Sequence, residues 1–316
     1  MSIAVKPQIK PRALRPGSML AIVSPASAAK ADLVELGAKH LQALGYRTSI
    51  FPSALARGPL YYAGTATERV TDLHAAFAED AIDGIICTRG GWGSAELLPL
   101  LNADVIRAHP KPFIGYSDHT SLQVWLENET GLVTFYGPMV AADFSRLDGV
   151  DVASWQHALS GSDHWSAGPA EGLRVLQSGK AEGLLRGGCL ALIAEGLGTP
   201  YALQPRGGVL FLEDIGVKPY QWDRMLQHMR WAGALDGVQG IVLGDMAQSC
   251  APDEQELLEH AILHALRDFP GPIAIGLRSG HVARQNVTLP LGVRVRLDLT
   301  DRENPVMYFL EAAVER

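Results

Sequence analysis

The sequence is short of cysteine. Only Cys87, Cys189 and Cys250 occur in 316 residues, and no two of them form a CxxC pair. An odd number of widely spaced cysteines argues against a disulfide framework and against a structural zinc site built on thiolates. We therefore expect reduced thiols that are mostly buried.

The chain also lacks an excess of positive charge and any long apolar run. Its 27 basic and 34 acidic residues leave a net charge of −7, which gives no reason to expect nucleic acid or an anionic membrane surface as a partner. No stretch approaches the roughly 20 apolar residues of a membrane span. The apolar run from Met19 to Val23 is shorter than the ~7 to 15 residues of a secretory leader, so a cytoplasmic protein is expected.

Short apolar runs alternate with amphipathic helical stretches between residues 19 and 137. MLAIVS precedes a segment whose leucines recur at helical spacing, and the apolar runs IDGIICT and PFIGYS follow further along. Near-continuous apolar strands separated by helices are typical of a parallel sheet covered on both faces. Sheets of this kind bind ligands at the carboxyl ends of their strands.

A change in composition after residue 150 predicts a second domain. Gly, Ser and Pro accumulate in LSGSDHWSAGPAEG, and regular strands and helices resume beyond it. Apolar and polar residues alternate in VRVRLDL, which indicates antiparallel pairing with one solvated face. We expect an N-terminal α/β domain over residues 1–160, a linker over 161–182 and an α+β domain over 183–316.

A glycine-rich turn, CTRGGWGSAE, lies between a predicted strand and a predicted helix. Glycines at such a point let backbone N–H groups approach a ligand closely and point at an anion. The spacing does not match the GxGxxG fingerprint of a dinucleotide site, and no organic cofactor is expected. A tight turn that merely needs positive φ is an equal alternative for this stretch.

The stretch GYSDHT also ends a strand and opens a helix. A serine on a sharp strand-to-helix turn exposes its hydroxyl at the edge of the sheet, as in a nucleophile elbow, and the next N–H can stabilise an oxyanion. The match is partial, because His119 stands where GxSxG has its second glycine. The alternative is helix capping, with Ser117 or Asp118 satisfying the first turn.

A nucleophilic serine needs a base, and several histidines are candidates. His119 is two residues from Ser117 at the start of a helix, where its ring should diverge from the serine. His260 and His264 are four residues apart on one helix, but no HExxH motif or third ligand accompanies them, so a solvated face is expected rather than a metal site. His281 follows an apolar strand in SGHVARQN and lies in a predicted loop, where a surface histidine is the alternative.

The acid that would orient such a histidine has two candidates. Glu213 and Asp214 end the apolar run VLFLED, and carboxylates are seldom left near a core without a partner. Capping of the helix that begins near Pro219 is the alternative role. A serine, an acid and a histidine thus follow apolar strands, in that order along the chain.

Taken together, these motifs resemble those of the LD-carboxypeptidase family, which includes murein tetrapeptide carboxypeptidases and microcin C immunity proteins. The resemblance runs over nearly the whole chain and keeps the order of its motifs, which are LRPGSMLAIVSPAS, IICTRGGWGSAELLPLL, FIGYSDHTSL, YGPM, GGCLALI, FLEDIGVKPYQWDRML, GALDGVQGIVLGDM and SGHVARQNVTLPLG. It implies an amidotransferase-like parallel-sheet domain followed by a swivelling β/β/α-like domain. The active site would lie where the two domains meet.

The resemblance also implies a serine mechanism without metal or cofactor. It places a triad on Ser117, Glu213 and His281, and an oxyanion hole on the backbone N–H groups of Gly91 and Asp118. The implied reaction is release of terminal D-alanine from murein tetrapeptide, or a related muropeptide, through an acyl-enzyme. A homodimer is implied as well.

Substrate-binding residues are less sharply indicated. A carboxypeptidase must bind a terminal carboxylate, and Arg89, Lys218 and Arg284 are the candidate cations, with Arg89 adjoining the expected oxyanion hole. Trp92 is a further candidate contact. A microcin C immunity-type hydrolase and a non-catalytic binding protein on the same fold are the alternative functions.

Overall fold

The computed structural model describes residues 7–316 and contains two β-sheets. Five strands of the first sheet are parallel, in the order β5-β4-β3-β1-β2, and a sixth, β12, pairs antiparallel with β5 at the edge. The strands are β1 (Met19–Val23), β2 (Arg47–Ile50), β3 (Gly84–Cys87), β4 (Phe113–Gly115), β5 (Thr134–Tyr136) and β12 (Leu289–Leu291). The predicted parallel sheet is confirmed.

In residues 7–316, six α-helices accompany the parallel strands: the first five lie between successive strands along the chain, and the sixth follows the last of them. They are α1 (Ala31–Ala43), α2 (Pro52–Leu55), α3 (Ala66–Ala78), α4 (Ala103–Ala108), α5 (Thr120–Thr130) and α6 (Val152–Leu159). Short 3₁₀ helices span Ser94–Leu100 and Ser117–His119, and a π-helical turn spans Val140–Phe144. The stretch SAELLPLL, expected as an α-helix, forms 3₁₀ helix over its first seven residues. Pro99 inside it lacks the N–H that an α-helical interior requires.

The second sheet has eight strands in the order β6-β14-β13-β8-β9-β10-β11-β7. Its centre, β8 to β11, is parallel, and the strands on both sides are antiparallel. The strands are β6 (Trp165–Ala167), β7 (Arg174–Gln177), β8 (Lys180–Cys189), β9 (Val209–Glu213), β10 (Gly240–Gly244), β11 (Ile273–Leu277), β13 (Arg294–Asp298) and β14 (Val306–Phe309). The antiparallel pairing expected for VRVRLDL is confirmed in β13.

Three helices belong to this second half, α7 (Leu190–Gly196), α8 (Pro219–Trp231) and α9 (Gln255–Ala265). Short 3₁₀ turns cover Pro169–Glu171 and Pro252–Glu254. The apolar faces of α8 and α9 pack with β9 and β10 around the fully buried Trp222. Within residues 7–316, none of the helices has the length and apolar character needed to cross a bilayer.

The two sheets are not built from two consecutive halves of the chain. The segment 161–182, expected as a linker, contributes β6 and β7, which pair with strands more than 90 residues further along, and the start of β8. The strand β12 comes from the C-terminal half but completes the first sheet. The connection from β11 to β12 therefore passes from one sheet to the other, and it carries His281.

Leu289 in β12 tests whether this late strand is integral to the first sheet. Its side chain is fully buried, so Leu289→Ala should lower the free energy of unfolding by about 2–5 kcal/mol. Urea denaturation followed by circular dichroism measures the change. Leu257→Ala in α9, where the side chain is 58% exposed, is the matched control, and equal small losses for both variants would contradict the packing described.

Candidate active site

The candidate residues meet at the carboxyl ends of strands from both sheets. Ser117 follows β4, and the glycine-rich turn follows β3. Glu213 is the last residue of β9, and His281 lies in the connection from β11 to β12. Neighbouring parallel strands end at the same edge of a sheet, which explains how residues far apart in sequence converge.

Ser117 has an uncommon backbone conformation. Its φ is +66°, in the left-handed region that non-glycine residues rarely occupy. The N-cap positions of the two helices that follow are Tyr116 and His119, and neither side chain caps its helix. The Ser117 hydroxyl contacts the ring of His281 instead. The capping alternative is therefore not observed, and the strained turn holds the hydroxyl out at the sheet edge instead.

His281 connects the serine to the acid. Its Nε2 lies 2.9 Å from Ser117 Oγ, and its Nδ1 lies 2.9 Å and 3.1 Å from the two carboxylate oxygens of Glu213. The backbone N–H of His281 donates to Glu213 Oε2 at 2.9 Å. A proton on Nδ1 facing the carboxylate leaves Nε2 free to accept the serine proton, which is the tautomer that a general base needs.

Two glycines make room for the acid. A Cβ on Gly280, whose φ is +91°, would lie 2.4 Å from the carboxyl carbon of Glu213. A Cβ on Gly244 would lie 2.5 Å from Glu213 Cβ. Both distances are shorter than atoms tolerate, so the buried Glu213 side chain fits only because these neighbours have none.

Tyr136 is a site residue that the sequence reasoning missed. Its hydroxyl donates to Glu213 Oε1 at 2.5 Å and accepts from the backbone N–H of Ser117 at 3.2 Å. It ends β5 and is fully buried. The available signal was its place in YGPM, a polar-tipped aromatic at the end of an apolar strand. One side chain thus links the strained serine to the acid.

The pKa of His281 is raised above its ordinary value. Burial of the ring acts to lower the pKa, but the charge of Glu213 and its hydrogen bond to the ring act to raise it, with smaller contributions from Asp214 and Asp143. The ring also packs edge-on against Tyr116, with centroids 5.1 Å apart. These surroundings therefore stabilise the charged, imidazolium form of His281.

The glycine-rich turn lies against the serine. A Cβ on Gly90 would lie 2.8 Å from Ser117 Cβ and 3.3 Å from the backbone nitrogen of Asp118. Gly91 has φ +109°, and a Cβ there would lie 2.4 Å from Ser27 Oγ. The close approach requires glycine at both positions. It is compatible with the oxyanion hole expected from Gly91 and Asp118, which remains a prediction.

The other polar residues of GYSDHT support this turn. The Asp118 carboxylate accepts from the backbone N–H of Ser94 at 2.8 Å, and its backbone carbonyl accepts from Ser94 Oγ at 2.6 Å. The ring of His119 is buried, and its Nε2 donates to the backbone carbonyl of Arg89 at 3.0 Å. His119 therefore diverges from Ser117, as expected, and is engaged with the turn.

Asp214 caps a helix, though not the one considered from sequence. Its Oδ2 accepts from the backbone N–H of Ala191 in the first turn of α7 at 2.9 Å, and its Oδ1 accepts from Ile215 N–H at 2.8 Å. Helix α8 begins instead with Gln221 accepting from the backbone of Lys218. Glu213 is thus the acid that reaches His281.

The substrate-binding candidates are distributed unevenly. Arg89 is exposed, and its guanidinium lies 3.7 Å from where a Cβ of Gly91 would be. Trp92 is the residue after Gly91, and its side chain is 37% exposed. Lys218 and Arg284 are exposed, and in the described part of the chain neither forms an ion pair or hydrogen bond with the three triad candidates. Their roles stay predictions.

No metal site accompanies these residues in the part of the chain that the structure describes. Residues 7–316 contain no cluster of three or more His, Cys, Asp or Glu side chains that could hold a metal ion. Cys87 and Cys189 are buried, Cys250 is partly buried, and all three are free. The arrangement of Ser117, His281 and Glu213 is suited to nucleophilic attack by a serine hydroxyl.

Comparison with known proteins identifies the class. The model of the LD-carboxypeptidase N-terminal domain matches residues 20–137, and that of the LD-carboxypeptidase C-terminal domain matches residues 182–297. The chain belongs to the LD-carboxypeptidase family, so the resemblance seen in the sequence is confirmed.

Several members of the family are similar over most of their length. The probable murein peptide carboxypeptidase of Bacillus subtilis is 34% identical over 303 residues, covering 93% of this chain and 92% of the relative. The murein tetrapeptide carboxypeptidase of Pseudomonas aeruginosa is 31% identical over 284 residues, covering 86% and 91%.

A solved structure shares the complete fold. The microcin C7 self-immunity protein MccF in its wild-type apo state has a TM-score of 0.89 at 25% identity, covering 97% of this chain and 100% of that chain. A relative of that name comes from Escherichia coli. The expected fold class, a parallel-sheet domain with a second domain, is confirmed by this likeness.

The raised pKa of His281 predicts how serine reactivity depends on pH. Only the neutral imidazole can take the serine proton, so labelling of Ser117 by an organophosphonate should be fast at high pH. It should slow as pH falls through a value above the ordinary ~6.5 of histidine. Mass spectrometry measures the rate. In Glu213→Gln the midpoint should move to lower pH, and an unchanged midpoint would contradict the role given to the carboxylate.

Tyr136→Phe tests the link between the serine and the acid. Loss of the hydrogen bonds to the Glu213 carboxylate and from the Ser117 N–H should leave both groups less precisely positioned, and should slow organophosphonate labelling about ten- to a hundredfold. Without the Tyr136 hydroxyl, the Glu213 carboxylate would keep more of its negative charge for the interaction with His281. The pKa of His281 should therefore rise, and the midpoint of labelling should move to higher pH. Tyr308→Phe in β14 is the control. A slower rate with an unmoved midpoint would indicate a structural role alone.

Proposed function

We propose that the protein is a serine-type LD-carboxypeptidase that releases the terminal D-alanine of murein tetrapeptide at the bond following meso-diaminopimelate. The observation that carries this proposal is the chain of contacts from Ser117 Oγ through His281 to Glu213. Relatives named as murein peptide carboxypeptidases support the substrate class.

In the proposed reaction, Ser117 Oγ attacks the carbonyl carbon of the diaminopimelate residue while its proton passes to His281 Nε2. The oxyanion accepts hydrogen bonds from the backbone N–H groups of Gly91 and Asp118, each worth about 100- to 1000-fold in rate. His281 then protonates the amine of D-alanine, which leaves. Water, deprotonated by the same imidazole, releases the tripeptide from the serine ester and restores the enzyme.

Binding of the terminal carboxylate is assigned to Arg89. Its exposed guanidinium adjoins Gly91, so a carboxylate there would lie close to the carbonyl under attack. Lys218 and Arg284 are the other candidate cations. A cytoplasmic location, a homodimer and a role in peptidoglycan recycling belong to the same proposal, and they rest on the composition and the family resemblance.

Hydrolysis of an aminoacyl-nucleotide analogue is the second candidate function. The likeness to the microcin C7 self-immunity protein MccF of Escherichia coli, which is 28% identical over 296 residues, favours it. Both reactions would use the same serine, so assays on the two substrates side by side distinguish them. A binding protein without catalysis is the third possibility, and the 2.9 Å contact of His281 with Ser117 argues against it.

Ser117→Ala is the direct test of the proposed function. It removes the nucleophile, so release of D-alanine from murein tetrapeptide should fall by about four to six orders of magnitude. Mass spectrometry of the products measures release, with a DD-linked peptide as the negative substrate. Ser160→Ala, at an exposed position after α6, is the matched control. Release at the native rate by Ser117→Ala would refute the assignment.

A further inference from the structure

A small apolar cavity of about 150 Å³ lies beside the candidate active site. We call it the Glu195 cavity. Its apolar wall is formed mainly by Trp92, Leu98, Val124, Leu192, Ile193 and Leu203. A cavity of this size suits one side chain rather than a whole ligand.

The cavity adjoins the reacting groups. Trp92 is the residue after Gly91, and Thr120 and Ser121, in the first turn of the helix that follows Ser117, also line it. Helix α7 also lines the cavity. Its start is held in place, because Cys189 N–H donates to Thr120 Oγ1 at 3.0 Å and the Asp214 carboxylate accepts from Ala191 N–H at 2.9 Å. The cavity therefore keeps a set position relative to the serine.

The charge that lines the cavity is negative. Among the described residues that line it, Glu195 carries the only formal charge, and no Lys, Arg or His is present. The pKa of Glu195 is raised, by partial burial first and then by the negative charges of Asp118 and Asp214. A cation placed here would relieve this repulsion, whereas a carboxylate would add to it.

We propose that the Glu195 cavity receives the side chain of the residue that contributes the scissile carbonyl, and that it selects an aliphatic chain ending in an ammonium group. This inference rests on the proposed function and specifies its substrate. The methyl group of a departing D-alanine would leave most of about 150 Å³ empty, with its wall atoms lacking contact partners. The methylene chain of a lysine or diaminopimelate residue fills such a space, and its ammonium group reaches the Glu195 carboxylate. Diaminopimelate has a carboxylate on the same carbon as this ammonium group, so that carboxylate must face away from Glu195.

Three tetrapeptides test the proposal. They end in D-alanine and carry L-lysine, L-norleucine or L-alanine at the third position. Norleucine keeps the aliphatic chain of lysine without its charge. The native protein should show a kcat/KM about fivefold higher for lysine than for norleucine, as expected for a partly exposed charge pair, and the difference should shrink as salt is added.

Glu195→Gln should abolish the preference for lysine over norleucine, while Glu256→Gln, at an exposed position in α9, should keep it. Ala95→Phe, which fills the cavity from its wall, should lower the ratio of kcat/KM for lysine over alanine about tenfold. Thermal unfolding of each variant shows whether it is folded.

The outcomes separate this inference from the proposed function. Equal kcat/KM values for the lysine and norleucine peptides, or a lysine preference that persists in Glu195→Gln, would overturn the inference. Neither result would contradict the proposed carboxypeptidase activity. The murein tetrapeptide with meso-diaminopimelate at the third position is the reference substrate. Failure to release D-alanine from this peptide would overturn the proposed function, and the inference with it, whereas release from it but from none of the three test peptides would overturn the inference alone.

Discussion

The buried carboxylate of Glu213 is the group on which the site depends. Its side chain is 1% exposed, and a charge so placed is tolerated only when donors surround it. The donors are the backbone N–H and the ring of His281 and the hydroxyl of Tyr136. Tyr136 belongs to the first sheet, Glu213 to the second, and His281 to the connection between them. The hydrogen bonds that satisfy the Glu213 carboxylate thus connect the two sheets.

The connection between the sheets is built around the same carboxylate. Gly280 has positive φ and no side chain, which lets the chain turn directly over Glu213. Asn286 closes the loop, because its side chain donates to the backbone carbonyl of Gly280 and accepts from the Gly280 N–H. Beyond this loop the chain enters β12 and returns to the first sheet. The position of His281 is therefore determined at both ends of its loop.

The side chains of Ser117, Asp118 and His119 in GYSDHT each contact a different part of the structure. Ser117 faces His281, the Asp118 carboxylate holds the start of the 3₁₀ helix at Ser94, and His119 holds the carbonyl of Arg89. The two side chains next to the serine thus stabilise the glycine-rich turn that packs against it. Residues that resemble a compact catalytic group in sequence are separated because successive side chains at a strand-to-helix turn point in different directions.

The sequence alone determined the strands of the parallel sheet, the alternation of β13 and the family, and the family resemblance predicted the candidate triad. These follow from local information, because a buried strand appears in the sequence as a short apolar run and a motif appears as a fixed series of neighbouring residues. Only the tertiary structure decided that β6 and β7 join the second sheet, that β12 joins the first, and that Tyr136 links Ser117 to Glu213. Each of these depends on a partner far away in the chain, chosen by backbone pairing or by the need of a buried charge for donors. No periodicity within a short segment records such a choice.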